Sequence, residues 1–159
     1  MGSWMSARDN RGSPVNACGA DRGPRMRVSG WEGVLAAAVE AARTRAFVWG
    51  VHDCATWAFD LRRDMTGGDD TAALWRGRYR TARGAARVLR RLGWTSISEA
   101  GTALLGTPLA NVRLAQRGDL VLSPDATSFG VCLGAQVAFL APEGLTLRAI
   151  TSCTLAWRT

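Results

Sequence analysis

With 159 residues, 47% of them hydrophobic, and seven tryptophans, the chain is long enough to enclose one core and short for two, so a single globular unit is expected. No apolar run approaches the roughly 18 residues that span a bilayer, and the polar N-terminus with its scattered arginines reads as neither a signal peptide nor an anchor. The net charge of +7 comes from 20 basic residues, all arginine, and favours an acidic partner without choosing among a nucleic acid, an anionic cell-wall polymer and an acidic protein face.

Residues 1–28 mix Gly, Pro, Ser, Asn and Arg without helical or strand period and read as a flexible arm that orders only against a partner; Met26 is an alternative start for the domain expected over 29–159. At Ser29, "SGWE" has the form of a capping box with Glu32. Trp31, Val34, Leu35, Ala38, Val39 and Ala42 then give one apolar stripe, predicting a first helix to about Arg45. "AFVWG" is a short extended stretch ending at Gly50. Asp53 is a good N-cap, and Cys54, Trp57, Ala58 and Leu61 fall at i, i+3, i+4 and i+7, so a second helix should run from Cys54 to about Met65.

"TGGDD" ends that helix and "TAALWRGRYRT" is a connector. A third helix over about Thr81 to Leu92 carries Ala85, Val88, Leu89 and Leu92 on one face and Arg83, Arg87 and Arg90 on the other, and Gly93 closes it. A short helix over Ile97 to Leu105 precedes five strand-like segments at 120–123, 129–134, 136–141, 145–150 and 153–157, whose close spacing predicts an antiparallel meander. Helices followed by strands imply an α+β domain, N-terminal helices packed on a C-terminal antiparallel β-sheet.

Chemistry concentrates in "WGVHDCATWAFD". A thiol in the first turn of a helix lies at the positive end of the macrodipole, which favours the thiolate, and His52 is the one histidine that could serve it as base. The bland alternative is a packed helix start with His52 filling the turn before it. Cysteines 18, 54, 132 and 153 lack zinc or iron–sulfur spacing, so no metal and no cofactor is expected. A Cys132–Cys153 disulfide is open if their strands pair, but small buried apolar side chains are the favoured reading. From Arg76 to Arg91 there are seven arginines and no acid; with a single interleaved Tyr79, nucleic-acid binding is disfavoured against a solvated or protein-docking face.

Three ordered motifs carry a resemblance: Trp49, Gly50, Asp53 and Cys54; then Gly118, Asp119, Leu120 and Val121; then "SFGVCLG" from Ser128 to Gly134. Together they resemble the NlpC-like cysteine peptidases, a papain-like superfamily of cell-wall amidases and endopeptidases, over about Phe47 to Ile150. "FVWGVHDC", "WRGRYRTARGAARVL", "GDLVL", "GVCLG" and the final "LAWR" look like a branch found in phages, prophages and gene-transfer particles, usually encoded among tail genes. The resemblance implies a papain-like NlpC fold, Cys54 in the nucleophile position, a place in the virion at the tail tip, and other tail-tip or hub subunits as partners. For an active enzyme it implies peptidoglycan as substrate, opened during genome delivery.

One departure bears on catalysis. The family's base histidine aligns with Ser128, and Ala138, Phe139 and Leu140 occupy the stretch that would supply the residue orienting it. A serine hydroxyl does not deprotonate a thiol at neutral pH. Either His52 substitutes from the other side of Cys54, or the domain keeps the fold without the reaction. The sequence favours the second, a structural tail-tip protein with a degenerate peptidase fold, over an active peptidoglycan peptidase.

Overall fold

In the computed structural model, which describes residues 26–159, the helical period of the first half becomes four helices: α1 (Trp31–Thr44), α2 (Cys54–Thr66), α3 (Ala82–Arg91) and α4 (Ile97–Leu105). Leu35 and Ala42 of the α1 stripe are buried, with Trp31, Val34, Ala38 and Val39 packed at the margin of the same core. The expected capping box does not form. The Trp31 N–H donates to Val28 O, Gly30 takes φ 77° as N-cap, and no side chain caps the helix, because this turn moves the start one residue past Ser29. Asp53 caps α2 by accepting from Thr56 N at 2.9 Å, and Thr81 and Ser96 do the same for α3 and α4.

The second half forms one antiparallel sheet of five strands, β1 (Leu120–Leu122), β2 (Phe129–Cys132), β3 (Gln136–Ala141), β4 (Gly144–Ala149) and β5 (Ala156–Trp157). The order β4-β3-β2-β1-β5 departs from the meander at its last step: β5 crosses back to pair with β1, setting Leu120 opposite Trp157. Trp157 accounts for this. Its indole is fully buried against Gly101 of α4, where a Cβ would stand 2.7 Å from the ring, and its Nε1 donates to Gly106 O at 3.1 Å.

The α+β class is therefore present, with N-terminal helices and a C-terminal antiparallel sheet. Side chains alternate across the sheet as strand geometry requires. Leu120, Leu122, Phe129, Val131, Ala138, Leu140 and Trp157 join Phe59 and Leu61 in the helix-side core, while Val121, Cys132, Val137 and Phe139 form a second cluster under Leu109, Val112 and Ala115 of the 106–119 connector. Burial on both faces explains why these strands read as continuous apolar runs.

Asp119 joins the segment entering α1 to the one leaving β5. Asp119 has no exposure and accepts from Arg27 at 2.9 Å, Arg158 at 2.8 Å, Gln116 N at 2.8 Å and Thr159 N at 3.2 Å. Arg27 also stacks over Trp31 at 4.1 Å, and Val28 N donates to Met65 O at 2.8 Å. Arg27 and Val28, which the sequence reading places in the arm, thus contact the domain; residues 1–25 of the expected arm lie outside the described residues. Among the described residues no helix is long and apolar enough to cross a membrane.

Candidate functional site

The start of α2 is set by a tight turn. Val48 and His52 form an antiparallel bridge, and Gly50 between them takes φ 74°, where a side chain would strike the Tyr79 carbonyl. This close approach lets Gly50 O accept from Gly77 N at 2.7 Å. Asp53, 1% exposed, ties the turn together: its Oδ2 accepts from Gly50 N and from Tyr79 OH, each at 2.7 Å, while Oδ1 caps the helix. Trp75 Nε1 extends the network to Thr56 Oγ1 at 3.2 Å. Tyr79 and Trp75 were not legible as site residues, because flanking arginines made "WRGRYR" look like exposed connector.

Cys54 follows Asp53 as the first residue of α2, half-buried, with its thiol facing β2. Burial, and then the neighbouring Asp53 charge, push the thiol up to about 11, outweighing the opposing pull of Ser128 and of the Phe129 and Ala55 backbone. The thiolate expected from the helix position is therefore not favoured. The dipole is offset by the Asp53 carboxylate, which already engages the first-turn N–H of Thr56, and the sulfur is desolvated.

Ser128 is held by its loop. Between β1 and β2, Ser123 Oγ accepts from Thr127 N at 3.2 Å and Ser128 N at 3.0 Å, and Ala126 adopts φ 57°, a region alanine seldom enters. His52 is turned elsewhere. It is 5% exposed, and its Nδ1 meets Ala46 O at 3.0 Å; since a carbonyl only accepts, Nδ1 carries the proton. Burial holds its pKa below the ordinary histidine value, so the ring is neutral at pH 7. The structure thus brings Cys54 and Ser128 together on a groove wall that His52 does not line.

That groove encloses about 520 Å³ between the start of α2, the helices α3 and α4, and the β1–β2 loop. Its walls are mostly apolar: Trp49, Trp94, Ala82, Ala86, Leu89, Leu104 and Leu140 contribute. Outside it, Arg76 pairs with Asp60 and Asp70, whereas Arg83, Arg87, Arg90 and Arg91 are exposed and form no ion pair among the described residues. Cys132 and Cys153 are buried free thiols on the second face of the sheet. Among the described residues no group of three or more His, Cys, Asp or Glu side chains could hold a metal ion.

Fold and site define an α+β domain with a cysteine at the head of a helix, opening on an apolar groove. The chain belongs to the family described as Domain of unknown function (DUF6950), which matches residues 26–159. The match begins beside Arg27, where the clasp on Asp119 begins. No curated protein and no solved structure matches the chain.

Proposed function

We propose that this chain is a phage tail-tip, hub-associated structural protein that keeps an NlpC-like, papain-like peptidase fold without the peptidase reaction. One observation carries the catalytic half of the reading. The residue that shares the groove wall with Cys54 is Ser128, whose hydroxyl cannot take a thiol's proton, and burial keeps the thiol protonated at neutral pH. His52 does not compensate, since it is buried in the preceding turn and does not line the groove on which Cys54 opens. The virion setting rests on the resemblance of the Trp49 to Cys54, Gly118 to Val121 and Ser128 to Gly134 motifs. The net charge of +7 and an exposed arginine face without ion pairs among the described residues suit assembly against acidic subunits.

The second reading, an active peptidoglycan peptidase, is favoured by one observation: the groove beside Cys54 is open rather than filled. The two separate in a particle assay. On the structural reading, Cys54→Ala particles assemble and infect as wild type does, whereas removing residues 1–25 blocks incorporation. Loss of infection with Cys54→Ala in particles of normal composition would instead establish the peptidase.

A further inference from the structure

The α3 helix presents two adjoining faces to different neighbours. Ala82, Ala86 and Leu89 line the groove, and at about 100° per residue Arg83, Arg87 and Arg90 form the next stripe around the helix, exposed and without acidic partners among the described residues. The groove floor is aliphatic and aromatic, its three alanines on α3, Ala82, Ala85 and Ala86, leaving room for a partner's larger side chains. An apolar trough edged by a cationic helix face calls for a ligand with the opposite pattern.

We infer that this groove docks an acidic amphipathic segment of a partner polypeptide, with aliphatic or aromatic anchors inserted between α3 and the β1–β2 loop and carboxylates paired to Arg83, Arg87 and Arg90. Charge complementarity selects the acidic flank, and the concave apolar floor selects side-chain anchors. A nucleic acid needs the arginines inside the channel with exposed ring faces for stacking, and here they lie outside it. A membrane surface needs apolar groups that protrude, and these are recessed. The inference rests on the groove being a binding rather than a reacting site, and it names the chemistry of the partner.

The test is a selection of random displayed peptides on the full chain, followed by anisotropy titration of the enriched sequences. Enriched peptides should pair apolar anchors three or four residues apart with two or more Asp or Glu. Binding should weaken about tenfold in Arg83→Glu/Arg87→Glu, and comparably in Ala86→Trp, which fills the trough, with thermal midpoints unchanged. If Ala86→Trp does not fold, the arginine pair decides alone. No enrichment, a neutral or basic consensus, or affinity indifferent to the arginine reversal overturns the inference. So does tighter binding of duplex DNA, of palmitate, or of phosphatidylcholine vesicles containing phosphatidylglycerol. Iodoacetamide labelling of Cys54 on the same preparation reads the thiol separately, so failure of docking and failure of the non-catalytic reading are distinguished.

Discussion

Placing a histidine at position 128 tests the physical account of the thiol. With its pKa near 11, Cys54 holds on the order of 10⁻⁴ thiolate at pH 7, against about 3% for a free cysteine. The higher basicity returns roughly tenfold in intrinsic nucleophilicity, so wild-type Cys54 should react with iodoacetamide about 20 to 30 times more slowly than free cysteine. Its rate should climb about tenfold per pH unit up to pH 10. Ser128 lines the open groove, and its loop is fixed through backbone groups and Ser123, so Ser128→His places an imidazole at the sulfur without removing the hydrogen bonds that shape the loop. Histidine-paired thiols fall to about pH 7.5 or below. The gain in thiolate less the loss in nucleophilicity leaves a rate roughly 100-fold above wild type at pH 7, with a profile that flattens above pH 8. Mass-spectrometric labelling kinetics resolve Cys54 from Cys132 and Cys153. A variant within about threefold of wild type, or a wild type as fast as free cysteine, would refute the reasoning.

Three stability predictions follow from the same contacts. Asp119→Ala removes the buried carboxylate from the partly exposed Arg27 and Arg158 and leaves the Gln116 and Thr159 N–H groups without their acceptor, and should cost about 1 to 3 kcal/mol in urea denaturation, loosening the Arg27 and Arg158 segments together. Gly101→Ala drives a methyl to within 2.7 Å of the Trp157 ring and should cost about 1 to 3 kcal/mol, with the Trp157 emission shifted as β5 gives way. Because the folded state raises the Cys54 pKa from 9.0 to about 11, its contribution is complete below pH 9 and lost as pH rises to 11. Wild type should lose about 3 kcal/mol more than Cys54→Ala across that window, and equal losses would argue against a buried, protonated thiol.

What the sequence disclosed and what it withheld divide along physical lines. Helix α2 was legible because Asp53, Cys54, Trp57, Ala58 and Leu61 carry cap and period together, and the first four strands because their apolar runs are punctuated by "SPD", "LGAQ" and "APEG". The place of β5 was not, since a two-residue strand holds no register of its own and the fit of Trp157 against Gly101 decides it. The cap of α1 moved from Ser29 to Gly30 because a backbone turn at Val28 outcompeted a side-chain hydroxyl. At the groove, spacing pointed to Cys54 and the resemblance to Ser128, but protonation was invisible. Helix position argues for a thiolate, while burial and the Asp53 charge, known only once the chain is folded, reverse it. The groove was equally hidden, because its walls come from segments far apart in the chain, from Phe47 to Pro142.

The central claim is that the fold persists without the reaction, and digestion of purified peptidoglycan tests it most directly. Wild-type protein incubated at pH 7 should release no more soluble muropeptide than Cys54→Ala, at any enzyme concentration at which an active cell-wall peptidase control clears the substrate. Release by the wild type that disappears in Cys54→Ala would contradict the account, and would require a base for Cys54 other than Ser128.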